Sequence, residues 1–171
     1  MRLDYSREDL RAAIEAVGIR RGDVVSLQVS LGRLGLPRDV APTMPAIGAF
    51  VIEIFLEAVG ESGTLIVPTY TYSIGRGEVF DVESTPSGIG EFGDLFRLRP
   101  GVIRSRDPML SSAGSGPRAA EILRDLSRSC YGAGSTYDRL HAADARIVTL
   151  GLAHHWATYR HYIEEAAAVP F

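Results

Sequence analysis

His161 and Glu164, three residues apart near the end of the chain, form the arrangement best suited to chemistry. Read as the start of a helix, this spacing sets both side chains on one face, because residues i and i+3 lie one above the other. An imidazole beside a carboxylate can act as a general base whose ring the carboxylate orients. The same pair at the same spacing also occurs on ordinary solvated helix ends. It lies within Leu150 to Glu165, LGLAHHWATYRHYIEE, which holds three of the four histidines, His154, His155 and His161. A metal site built from His154, His155, His161 and Glu164 is disfavoured, since adjacent histidines point in different directions, and no metal is expected.

Composition narrows the chemistry further. All 18 basic residues are arginine, which removes any mechanism that needs a Walker-type, Schiff-base or kinase-type lysine. A phosphate must then be held by arginine, hydroxyls or backbone N–H groups. The net charge is −3 and the arginines form no basic run, which argues against nucleic acid and favours a cationic or small neutral substrate. The single cysteine, Cys130, excludes an intramolecular disulfide and a cysteine-based zinc cluster; it reads as a small buried hydrophobe or, less often, a reactive thiol. With 171 residues, 46% of them hydrophobic, the chain is expected to form one soluble domain over 1–171. Without an apolar leader or a run of membrane-spanning length, it is placed in the cytoplasm with no membrane partner.

The elements that must position these residues follow from periodicity. Ser6 caps a first helix whose apolar face is Leu10, Ala13, Ile14 and Val17, with Gly18 as its stop. Val24 to Val29 reads as a buried strand, followed by the loop Ser30, Leu31, Gly32, Arg33, Leu34, Gly35. A second helix from about Thr43 to Val59 presents Met44, Ile47, Val51, Ile54, Phe55 and Ala58, and Thr64 to Val67 is the next strand. Pro68 to Gly88 lacks periodicity and mixes Tyr70, Tyr72 and Phe80 with Glu78, Asp81 and Glu83, as a lid, a binding surface or a mobile insertion would. Helices follow at Glu91 to Leu98, from Gly116 and Pro117 onward, and near Tyr137 to Ala142, with a strand at Arg146 to Leu150. Helices alternating with short apolar strands indicate an α/β layered sheet with ligand beyond the strand ends.

Six segments in this order resemble the aminoglycoside 3-N-acetyltransferase family. They are VSLGRLG at Val29 to Gly35, EAVGESGTLIVPTYT at Glu57 to Thr71, FDVESTPSGIGEFGDLFRLRPGVIRS at Phe80 to Ser105, DPMLSSAGSGPRA at Asp107 to Ala119, GAGSTYDRL at Gly132 to Leu140, and the stretch carrying His154, Thr158, His161 and Glu164. The resemblance implies a three-layer α/β/α sandwich around a central mixed sheet. It also implies transfer of acetyl from acetyl-CoA to an aminoglycoside amine, at the 3-amino position. An amino sugar or other natural-product amine is the alternative acceptor, and a non-catalytic CoA binder the alternative role. The chain departs from the family at Gln28 and Asp107, where histidine is common, and at Ala157, where asparagine is usual. Family members continue past the position of Phe171, so a shortened member with an open acceptor site is expected.

Acetyl transfer asks the protein to deprotonate an ammonium, to donate to the thioester as it gains negative charge, and to hold the coenzyme in register. The resemblance gives the first task to His161 with Glu164, and the second to Thr158. The coenzyme is assigned to Ser30, Leu31, Gly32, Arg33 and Leu34 and to Arg104 with Ser105, although Arg104 is equally suited to pairing inside the fold. Asp107 is a candidate partner for the amine or an Asp-Pro turn residue. Tyr70, Asp81 and His154 are candidates for substrate contact, with Glu83 and Glu165 as weaker attractors of a polycation.

Overall fold

The computed structural model describes residues 4–153 and 157–170. The chain opens with β1 (Asp4–Tyr5) and α1 (Arg7–Ala16). Ser6 caps α1 in a reciprocal box with Asp9, each side chain bonding the other's backbone N–H. Leu10 and Ile14 are buried as their spacing predicts, but Val17 is 69% exposed because α1 ends at Ala16 and Val17 has already left the helical face. Next come β2 (Val24–Val29), β3 (Leu36–Pro37) and α2 (Met44–Val59), the last capped by Thr43 Oγ1 accepting from Ala46 N at 3.4 Å. Met44, predicted to face the core, is instead 43% exposed on the first turn.

Beyond α2 lie β4 (Thr64–Pro68), α3 (Glu91–Arg97), β5 (Ile103–Arg104), β6 (Ser112–Ser115), α4 (Ala119–Leu123), α5 (Thr136–Ala142), β7 (Arg146–Leu150) and α6 (Arg160–Ala166). The helix predicted from Gly116 and Pro117 starts at Ala119. Gly116 sits at φ +117 against the backbone of Gly63 and Thr64, a position closed to helical geometry and to any side chain.

The main sheet has the order β5-β6-β4-β2-β7. Its centre is parallel, with Val25 of β2 opposite Leu65 of β4 on one side and opposite Arg146 of β7 on the other, whereas β6 runs antiparallel to both β4 and β5. A separate small sheet pairs β1 with β3 in parallel. Because strand side chains alternate between faces, β2 and β4 feed two cores. Val25, Leu27, Leu65 and Val67 pack with residues of α1, α2 and α3 such as Ile14, Phe55 and Phe96. Val24 and Ile66 pack on the other face with Ile122, Leu123, Tyr137 and Leu140 from α4 and α5. Helices cover both faces of a mixed sheet, which is the α/β/α sandwich. Among the described residues no helix is long and apolar enough to cross a membrane.

Candidate active site

The parallel strands β2 and β4 run side by side, and a crevice outside the carboxyl ends of such strands is where an open α/β sheet receives a ligand. A cavity of about 560 Å³ lies there. One wall is Gln28 through Gly32, another is Pro68, Tyr70 and Tyr72, a third is the start of α3 from Ile89 to Gly93, and Leu152 and Thr158 close it from beyond β7. The β2 and β7 ends are brought together by Ser30 N donating to Leu150 O at 2.9 Å. Gly151 permits this approach: it has φ +70, and a Cβ there would lie 2.7 Å from Ser30 O.

Hydroxyls line the inner end. Gln28 Nε2 donates to Thr158 Oγ1 at 3.3 Å. The hydroxyls of Tyr70 and Tyr137, both buried, share a short hydrogen bond. Burial raises both phenols well above their ordinary range, so both keep their protons at any cellular pH.

One helical turn beyond Thr158 stands His161, whose backbone N donates to Thr158 O at 3.0 Å. Its Nδ1 is 2.7 Å from Glu164 Oε2, and the two side chains are 39% and 33% exposed. A carboxylate can only accept, so Nδ1 is the donor in this pair, and in the neutral form of the ring Nε2 keeps its lone pair. The ring leans on Tyr131, centroids 5.4 Å apart. Burial, then the neighbouring Cys130, pushes the Tyr131 phenol up to about 12. The arrangement holds the imidazole against a carboxylate at the surface, and neither His161 nor Glu164 is among the residues that line the cavity.

The other predicted site residues divide. Ser30, Leu31 and Gly32 line the cavity, whereas Arg33 and Leu34 do not. Arg104 is turned away from the cavity and spends its donors on Thr69 Oγ1 (3.1 Å), Thr69 O (2.9 Å), Val82 O (3.3 Å) and Thr85 O (2.5 Å). Its guanidinium, 5.1 Å over the Phe80 ring, thus pins the Pro68 to Gly88 loop. Burial, with Arg97 nearby, lowers it to about 10, which leaves it charged. Ser105 is fully buried, its Oγ accepting from Ser112 N at 3.0 Å. Neither lines that cavity, and Arg104 lies instead on the wall of a second hollow.

Asp107 takes the turn role: Oδ1 accepts from Met109 N at 2.8 Å and Leu110 N at 3.0 Å, on the edge of a second hollow of about 1010 Å³. Asp81 likewise accepts from Glu83 N, Ser84 N and Ser84 Oγ, and the Ser84 bonds hold its carboxyl below the usual range. His154 lies outside the described residues, as does His155. Sequence reasoning missed the carboxamide of Gln28 as a donor and the start of α3 as a wall of the site, and it missed Tyr137 and Tyr131 as the aromatic residues packed behind Tyr70 and against His161. Tyr137 follows the Gly132-Ala133-Gly134-Ser135 loop, and that loop is the one signal that could have pointed to it.

Fold and site together define an α/β sandwich with a cavity at the parallel strand ends and, one helical turn beyond the Thr158 that lines it, an imidazole paired with a carboxylate outside the cavity lining. Residues 29–171 match the aminoglycoside 3-N-acetyltransferase family model, and the chain belongs to that family. It is 29% identical to aminoglycoside N(3)-acetyltransferase IV of Salmonella sp over all of this chain, and spans 63% of that relative's length. The apoenzyme of aminoglycoside acetyltransferase AAC(3)-IVa superposes with a TM-score of 0.84 at 27% identity, covering 100% of this chain and 64% of that one. AAC-IIIb in a binary complex with CoASH shares the fold at 22% identity, with a TM-score of 0.80 over 95% of this chain and 65% of that one.

Proposed function

We propose that the chain transfers acetyl from acetyl-CoA to an amino group of an aminoglycoside, at the 3-amino position that gives its relatives their name. The observation that carries this reading is the half-exposed His161, whose Nδ1 is held at 2.7 Å by Glu164 and whose second nitrogen has no hydrogen-bond partner among the described residues. Membership of the family supplies the reaction class, and the capture of a protein of this fold with CoASH supports the choice of donor.

Each residue then has a task. Ser30, Leu31 and Gly32 offer backbone and small side chains to the coenzyme arm along the cavity wall. His161 Nε2 takes a proton from the substrate ammonium, and Glu164 steadies the imidazolium that results. The freed amine attacks the thioester carbonyl, a C–N bond forms and the C–S bond breaks. The departing thiolate takes up one proton, so free CoA thiol leaves. Thr158 donates to the thioester while it carries the extra negative charge. A negatively charged protein suits a cationic acceptor at long range.

The test is release of thiol from acetyl-CoA with a panel of aminoglycosides and amino sugars. His161→Ala is expected to lower the rate about 10²- to 10⁴-fold. Undiminished turnover in that variant would remove the imidazole from the mechanism.

A further inference from the structure

The second hollow concentrates what the first cavity lacks. Among the described residues no arginine lines the first cavity, whereas Arg97, Arg104, Arg106, Arg124 and Arg128 line the second, in a chain whose net charge is −3. Arg97 and Arg104 are spent on Asp94 and on loop carbonyls. Arg106, Arg124 and Arg128 are exposed, and among the described residues none of their guanidiniums has a hydrogen-bond or ion-pair partner. By contrast, Arg11, Arg76 and Arg118 on other surfaces each lie within 2.7 Å of a glutamate. The carboxylates that share the hollow, Glu83, Asp107 and Asp125, are outnumbered, and Asp107 gives Oδ1 to the N–H groups of Met109 and Leu110. Planar, permanently charged forks around one concavity suit phosphate oxygens.

The same hollow offers an apolar surface. Ile74 and Leu98, 64% and 68% exposed, open onto it, and Val102 and Leu126 continue that surface. Covering it favours a ligand that carries a ring as well as phosphate. The walls are held in place: Arg139 donates to Glu121 O and Asp125 O at 2.7 Å each and to Arg124 O, while Arg104 ties down the facing loop at Val82 and Thr85. A fixed backbone lowers the ordering cost of binding. The volume, about 1010 Å³, stands at the upper end of the range of about 300–1,000 Å³ for small-molecule sites. We propose that the hollow binds a nucleoside diphosphate, its phosphates among Arg106, Arg124 and Arg128 and its base over Ile74 and Leu98. Such a group occurs free and as one end of coenzyme A. The assignment stands on this hollow, which shares no described lining residue with the first cavity, and does not depend on the acetyl transfer proposed above.

Adenosine diphosphate, titrated calorimetrically into the whole chain, is the probe, with inorganic pyrophosphate as its counterpart without a ring. The diphosphate should bind once per chain and more weakly as salt is raised. Arg106→Gln, Arg124→Gln and Arg128→Gln should each lower its affinity about tenfold. Ile74→Ser should lower the affinity for adenosine diphosphate several-fold and leave that for pyrophosphate unchanged. All four side chains are exposed, so these variants should keep the wild-type unfolding midpoint. Arg20→Gln, at an exposed arginine outside the hollow, should bind as wild type does. Acetyl-CoA separates the two sources. Displacement of the probe, with the arginine variants losing affinity for acetyl-CoA as well, would assign the hollow to the coenzyme's own diphosphate; simultaneous binding would assign it to a free nucleotide. No binding of the probe at millimolar concentration, or binding that none of the three arginine variants weakens, would overturn the site. Pyrophosphate bound as tightly as the nucleotide, with Ile74→Ser without effect on either, would overturn the nucleoside.

Discussion

The two faces of the central sheet are built from the same strands and do different work. Toward α1, α2 and α3, β2 presents Val25 and Leu27 and β4 presents Leu65 and Val67, a wholly aliphatic and buried surface of which only Leu27 and Val67 reach the wall of the cavity. Toward α4 and α5 the alternate positions of β2 are Val24, Ser26 and Gln28, met by Tyr70, Tyr137 and, from beyond β7, Thr158. A strand's period of two lets one six-residue segment serve both purposes. The lesson is that stability can be concentrated on one face, which frees the other to carry polar groups that a close-packed core would reject unless each found a partner.

The sharpest way to break this division is to damage each face in turn. Phe55→Ala, on α2 against the aliphatic face, should cost about 3–5 kcal/mol, read as a fall in the urea midpoint. Turnover per folded molecule should not change. His161→Ala should do the reverse, with the large loss of rate given above and an unfolding midpoint near wild type. A rate loss in Phe55→Ala that exceeds its loss of folded protein would mean that the faces are coupled.

A smaller effect tests where the polar face ends. Because Arg104 bonds the carbonyls of Thr69, Val82 and Thr85, its removal should release the Pro68 to Gly88 loop. Hydrogen bonds to a charged group contribute about 1.5–3 kcal/mol, so Arg104→Ala should lose stability on that order. Trypsin should cut after Arg76, in the exposed turn of the loop, several-fold faster than in wild type. Unchanged stability and cleavage, with a much higher KM for acetyl-CoA, would return Arg104 to the coenzyme role.

The sequence carried the aliphatic face better than the polar one, for a physical reason. Val24–Val29 and Arg146–Leu150 are found where the apolar runs and their flanking turns put them, because a buried strand needs only local patterning. The two-residue strands β1, β3 and β5 have no period to read and exist only through tertiary pairing. His161 and Glu164 were legible because their contact spans three residues of one helix. Gln28 and Thr158 are 130 residues apart, and Tyr70 and Tyr137 are 67 apart, so no window along the chain contains either bond. Arg104 left two roles open for the same reason: a guanidinium suits a phosphate and a set of loop carbonyls equally, and only the path of the loop brings those carbonyls to it.

Cys130 gives the smallest and most local test. It packs at the margin of the polar core and lines the second hollow with Asp107, so by position alone it could be a nucleophile competing with the direct attack proposed here. Burial raises its thiol above the ordinary value, and the negative charges of Asp107 and Glu165 push it the same way. The sign is unambiguous. At neutral pH the thiolate fraction is below that of a free cysteine, and alkylation by iodoacetamide should be slower by about threefold or more, accelerating as the pH rises. Asp107→Asn removes one of the repelling charges and should raise the rate by a lesser factor, without reaching that of free cysteine. A thiol alkylated at neutral pH as fast as a free one would place an active nucleophile on the polar face. It would also open a route in which acetyl passes first to sulfur and only then to the amine.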